Sequence, residues 1–205
     1  MAIQLTPELE TYVQNLLKIS ISKERIGVLQ TLIDYVKNKI SEDQTAHLNF
    51  ICTHNSRRSQ FSQIWAFTAA AFYDVPVKCF SGGVEVTSFN KRAVASIVRS
   101  GFVVSSQGKE NPIYQIRYNN ESLPITVFSK KFDASENRCS SFAAIMTCTH
   151  AEENCPFIPG AEARISLTYE DPKAFDNTEL EKEKYDERSL QIASELFYVF
   201  KQVRS

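Results

Sequence analysis

Cys52, Thr53, His54, Asn55, Ser56, Arg57, Arg58 and Ser59 stand in a row. Their types suit one task, holding a tetrahedral oxyanion beside a sulfur nucleophile. A short loop can aim successive backbone N–H groups at one point, and a guanidinium adds a rigid two-pronged donor. Cys52 opens the loop and Arg58 closes it, with five residues between them. The same positive field favours a thiolate at its focus. Cys52 is therefore the candidate nucleophile, and Thr53, His54, Asn55, Ser56, Arg57, Arg58 and Ser59 the candidate substrate-binding loop.

A second group lies downstream. Cys148 and Cys155 are separated by six residues, among them His150, and Pro156 follows Cys155. If Cys148 ends a strand, it reaches the same sheet edge as Cys52. A polar, loop-like segment after it can fold out and bring thiols within disulfide distance. Three thiols at one oxyanion site permit a relay of attack, resolution and export of a disulfide. Zinc bound by Cys148, His150 and Cys155 with Cys139 nearby is a competing reading, although the spacing matches no usual zinc pattern. A third reading makes the pair incidental. Asp171-Pro172 is, by itself, a good helix start.

These residues need elements to place them. The apolar run Leu48 to Ile51 reads as a buried strand, and Phe61, Ile64, Trp65, Thr68 and Phe72 repeat at helical spacing. The loop is thus a strand-to-helix turn at the carboxyl edge of an α/β sheet, where ligands bind and a helix amino terminus favours anions. Further strands are expected at 76–81, 124–129 and 142–147, and helices at about 90–100 and 179–203. Residues 103–123 read as loop or irregular helix, Gly82-Gly83 as a flexible turn, and Cys79 as a core thiol. Strands alternating with helices predict an α/β, three-layer fold with a small four-stranded parallel sheet and helices on both faces. Residues 1–46 read as a helical extension carrying Leu9, Val13, Leu16 and Leu17, then Ile26 to Ile40. Residues 47–205 form the domain proper. A hairpin packed on the domain or on a second copy, giving a homodimer, is the expected use of the extension.

Composition sets bounds. A chain of 205 residues, 43% hydrophobic and 23% charged, is ordinary for a globular protein. A net charge of −1 gives no electrostatic case for nucleic acid or an anionic membrane. No run reaches transmembrane length and no signal-peptide pattern opens the chain, so a cytoplasmic protein is expected. An odd number of cysteines, five, suits reactive thiols in a reducing compartment.

The Cys-x5-Arg-Ser pattern of Cys52, Arg58 and Ser59 resembles the low-molecular-weight protein tyrosine phosphatases. With the Cys148/Cys155 pair and Asp171-Pro172, in this chain order, it resembles their relatives, the thioredoxin-coupled arsenate reductases. The resemblance runs from about Asn49 to the carboxyl end. It implies an arsenate reductase without cofactor or metal, in which Cys52 attacks arsenate and Arg58 binds it. Asp171 is then the general acid and Ser59 a donor to the sulfur. Asn55 shapes the loop, and Cys148 and Cys155 pass a disulfide to thioredoxin. Three positions depart from the pattern. Both families usually carry Gly at His54, where a side chain narrows the pocket or changes the backbone. They carry Cys at Arg57, which here adds a positive charge. The reductases carry Glu, part of a cation site, at Gln63, which leaves potassium dependence open. A tyrosine-phosphatase-type hydrolase using Cys52, Arg58 and Asp171 is the runner-up. A non-catalytic oxyanion or redox sensor is the third reading.

Overall fold

The computed structural model describes residues 3–137, 141–154 and 157–205. Two helices come first, α1 (Pro7–Leu16) and α2 (Lys23–Ser41). Pro7 sets the first turn of α1, but Thr6 does not cap it; its hydroxyl donates to the Gly101 carbonyl instead, at 2.9 Å. Ser22 does cap α2, accepting from the Arg25 amide. The chain continues through β1 (Ala46–Cys52), α3 (Arg58–Phe72), β2 (Val77–Gly83) and α4 (Lys91–Arg99). Then come β3 (Val103–Gln107), β4 (Ile113–Arg117), β5 (Ile125–Val127) and β6 (Phe142–Met146). α5 (Thr149–Asn154), β7 (Ala161–Ser166) and α6 (Glu181–Arg204) complete it, with a short 3-10 helix, Pro172–Phe175, before α6.

A four-stranded sheet runs in the order β2-β1-β6-β7, and every pairing in it is parallel. The buried strand β1 lies at its centre, with Leu48 beside Cys79 on one flank and Ala143 on the other. The architecture matches the expected three-layer α/β fold, but two strands differ from the expectation. Residues 125–127 do not join the parallel sheet. They pair with β4, and β4 with β3, in a separate antiparallel sheet, so residues 103–123 hold two strands rather than only loop or irregular helix. The fourth parallel strand is β7, whose Glu162 and Arg164 alternate with Ala161, Ala163 and Ile165; charges of this kind suit an edge strand.

Gly82 and Gly83 form the end of β2 rather than a flexible turn. A Cβ on Gly82 would lie 2.2 Å from the Phe132 Cα, and one on Gly83 would lie 2.6 Å from the Asn55 nitrogen. On α4, Ala93 and Ile97 face inward, whereas Val98 is half exposed. Gly101 does end that helix, at a φ of 101°.

The main core packs Phe61, Trp65 and Ala69 of α3 against Ile192, Leu196 and Phe197 of α6. Leu9, Val13 and Leu16 of α1 and Leu29, Leu32, Ile33 and Val36 of α2 belong to that same core. Tyr12 stacks on Trp65 with ring centroids 5.6 Å apart. A smaller cluster on the other face of the sheet holds Ile51, Cys52, Met146 and Cys148. Among the described residues, no helix is long and apolar enough to cross a membrane.

Candidate active site

Cys52 is the last residue of β1 and Arg58 the first of α3, so the loop between them sits at the carboxyl edge of the sheet and the positive end of a helix. Asn55 shapes it. Its φ is 46°, a left-handed turn that Asn adopts more readily than other side chains. Its buried amide donates to Ser59 Oγ at 2.8 Å and accepts from the Lys130 amide at 3.0 Å. Gln60 Nε2 reaches the Asn55 carbonyl at 3.0 Å. Ser59 Oγ stands 3.1 Å from Cys52 Sγ. Since that oxygen already accepts from Asn55, its hydroxyl hydrogen is available to the sulfur. Cys52 itself is recessed, only 4% exposed. Ser56 fastens the outer side of the loop through a 2.7 Å bond to the Ser88 carbonyl.

The second half of the loop meets the segment before α6. Arg58 Nη2 donates to Asp171 Oδ2 at 2.7 Å and Nη1 to the Tyr169 carbonyl at 3.0 Å. Its Nε is buried without a hydrogen-bond partner among the described residues, and the two bonds leave N–H donors of the fork for an oxyanion. Asp171 caps the short helix that begins at Pro172, accepting from the Lys173 amide. Arg57 turns to the same segment: Nε donates to Tyr185 Oη at 2.7 Å and Nη2 to Asp176 Oδ2 at 3.3 Å. Tyr185 in turn donates to Asp176 Oδ1 at 2.7 Å, and burial is the main cause pushing that phenol up to about 12. The Arg57 charge is thus shared with Asp176 rather than standing free beside Arg58.

Cys148 follows β6, and the backbone there is tied to β1: Thr147 donates to the Ile51 carbonyl through both its amide and its hydroxyl. Cys148 Sγ is fully buried, 3.6 Å from Thr53 Oγ1, and accepts weakly from the Ala151 amide. Thr53 Oγ1 also lies 3.3 Å from His150 Nδ1. The stretch read as loop after Cys148 is the helix α5. Cys155, Pro156 and Cys139 lie outside the described residues. Cys52, Cys79 and Cys148 are free thiols. Burial in β2 pushes Cys79 far up, which suits a core thiol. Among the described residues, no three His, Cys, Asp or Glu side chains converge as a metal-binding set.

One sheet edge thus carries an oxyanion-type loop, an Arg–Asp pair and a second thiol. No family model matches the chain. The arsenate reductase of Bacillus subtilis is 28% identical over 133 residues, 65% of this chain and 78% of that protein. Among solved structures, a YwlE mutant from Bacillus subtilis superposes with a TM-score of 0.51 at 14% identity, covering 78% of this chain and all of that one. A low-molecular-weight phosphotyrosine phosphatase from Vibrio cholerae gives 0.50 at 12% identity, covering 75% and 93%. The chain is similar in sequence to arsenate reductases, and its fold is that of the low-molecular-weight phosphatases.

The substituted positions are accommodated locally. His54 turns outward, its Nε2 3.2 Å from Glu85 at the exposed rim. Its carbonyl accepts from Ser129 Oγ at 2.9 Å, and the left-handed residue of the loop is Asn55. Gln63 accepts from Ser81 Oγ at 2.6 Å inside the fold. Tyr185, Asp176, Tyr169 and Lys130 were not legible as parts of the site. Each lies far along the chain from the loop, and no local spacing marks it.

Proposed function

We propose that the protein reduces arsenate to arsenite. Cys52 thiolate attacks arsenate held by the loop amides and Arg58, and Asp171 protonates the departing hydroxyl as water. Cys148 then attacks the Cys52 sulfur of the thiol–arsenic adduct. The electron pair of the sulfur–arsenic bond passes to arsenic, which leaves as arsenite, and a Cys52–Cys148 disulfide remains. Cys155 attacks Cys148, which returns Cys52 as a thiolate and gives a Cys148–Cys155 disulfide. A dithiol protein of the thioredoxin kind reduces that disulfide by exchange. Such a cycle suits a reducing compartment, as the cytoplasm is. An arriving oxyanion competes with Asp171 for the Arg58 guanidinium.

The observation that carries this reading is the Cys148 sulfur, 3.6 Å from the hydroxyl of the residue that follows Cys52. A hydrolase needs no thiol there. The second reading, hydrolysis of an aryl phosphate through a cysteinyl-phosphate, is favoured by the Cys52–Ser59 and Arg58–Asp171 contacts, which serve either chemistry. The deciding experiment follows arsenate-dependent NADPH consumption with thioredoxin and thioredoxin reductase in the wild type, Cys148→Ser and Cys155→Ser. Turnover lost in both variants while aryl phosphate hydrolysis survives is the expected result. Absence of arsenate turnover, with strong hydrolysis in all three proteins, leaves the phosphatase reading.

A further inference from the structure

Behind the catalytic loop, on the far side of Lys130, lies a cavity of about 280 Å³. It opens between α3, β2 and the strand β5 with the residues that follow it, and is lined by Gln63, Phe67, Phe80, Phe128, Lys130 and Glu136 among others. Phe67, Phe80 and Phe128 are half-buried, and Phe67 also packs against the main core.

Two donors in this cavity lack hydrogen-bond partners among the described residues. Lys130 is 7% exposed. Its ammonium lies 4.8 Å from the centroid of the Phe128 ring and makes no hydrogen bond or ion pair among the described residues. Glu136 acts on it only at longer range, and burial pushes its pKa down to about 8. A lysine held this way has exchanged water for aromatic carbon without gaining an anion. Gln63 Oε1 is occupied by Ser81 Oγ, which leaves its Nε2 as a second donor. The volume lies just under the usual range for small-molecule sites, roughly 300–1,000 Å³, where apolar walls with a few polar groups are the rule.

We propose that this cleft binds a small monocarboxylate with an aromatic or branched apolar body, its carboxylate on Lys130 and Gln63 and its body against the phenylalanine rings. A single charge fits: Glu136 on the same wall disfavours a dianion. The site is separate from the oxyanion loop but touches its support, since the Lys130 amide donates to Asn55 Oδ1 and the Lys130 carbonyl accepts from the Gly83 amide. The proposal holds whether the loop reduces arsenate or hydrolyses phosphate.

Titration calorimetry with benzoate tests it, on the wild type, Lys130→Met and Arg58→Met, with benzyl alcohol as the neutral comparator. Benzoate is expected to bind the wild type and Arg58→Met alike. Lys130→Met should bind it at least about tenfold more weakly, as should the wild type the alcohol, because a hydrogen bond to a charged group is lost. Benzoate binding that survives Lys130→Met, or vanishes in Arg58→Met, places the anion in the catalytic loop and overturns the proposal. Equal binding of the alcohol, or no binding of benzoate to the wild type, overturns it too.

Discussion

Asn55 and Lys130 mark the two limits of reading single residues. Asn55 was legible through the family resemblance, which implied that it shapes the loop; in the structure it bonds to Ser59, Lys130 and Gln60. Lys130 was not, because burial of a lysine leaves no trace in sequence; beside Lys131 it reads as surface. Its depressed pKa has a consequence for stability. The folded value, about 8, lies below the ordinary 10.5, so between these the unfolded chain binds more protons. The cost of burying the charge is therefore full below pH 8, shrinks between about 8 and 10.5, and is absent above. Lys130→Met should stabilise the protein by ~3 kcal/mol at neutral pH, on the scale of 1.36 kcal/mol per pKa unit. Urea denaturation at neutral pH and near pH 10 checks this: the gain should be large in the first and small in the second. A gain independent of pH would show that packing, not charge, sets it.

At the scale of elements, the strongly patterned parts were readable and the thin ones were not. β1, β2, β6, α3 and α6 announce themselves by buried apolar runs or helical spacing. The short strand β7 alternates apolar and polar residues over only six positions, and β3 and β4, five residues each, do not alternate strictly, so their Ser, Gln, Glu and Arg content masks them. The strand at 125–127 was found but assigned to the wrong sheet, since local pattern does not say which neighbour a strand pairs with. Gly83 shows what the misreading of Gly82-Gly83 concealed: β2 ends against the catalytic loop with no room for a side chain. Gly83→Ala puts a Cβ 2.6 Å from the Asn55 nitrogen and 2.9 Å from the His54 carbonyl carbon. Both are backbone atoms, so the loop must shift. Activity should fall about 100-fold, as displacement of a positioned group does, with a stability loss of ~1–3 kcal/mol from overpacking. Gly27 in α2 meets nothing within 4 Å, so Gly27→Ala should raise stability by ~0.5–1 kcal/mol and leave activity alone. Steady-state kinetics and denaturation of the two variants side by side test the contrast. Unchanged activity in Gly83→Ala would mean that the loop tolerates displacement.

At the scale of the whole molecule, the amino-terminal helices reach the site indirectly. Their helical character was plain from spacing, but where they dock was not, because docking depends on the shape of α6. Arg25 of α2 forms a two-pronged pair with Glu195 of α6, at 2.9 and 2.6 Å. It also lies over the Tyr169 ring, 5.1 Å from its centroid, and Tyr169 supplies the carbonyl that holds Arg58. Glu195 is 2% exposed, and besides Arg25, Gln191 donates to it. Removing one partner of such a pair strands a buried charge, at a cost of ~3–5 kcal/mol, whereas exchanging both for apolar side chains is often close to neutral. Arg25→Met should therefore destabilise by about 3 kcal/mol at neutral pH, and the double variant Arg25→Met/Glu195→Leu should recover most of that loss. Activity separates bracing of the site from simple stability. If α2 steadies the Tyr169–Arg58 contact, the double variant stays folded yet binds the oxyanion more weakly, with KM raised more than kcat is lowered. A double variant with wild-type stability and wild-type KM would confine the helices to the core. A single variant that loses less than ~1 kcal/mol would put the pair with ordinary surface salt bridges.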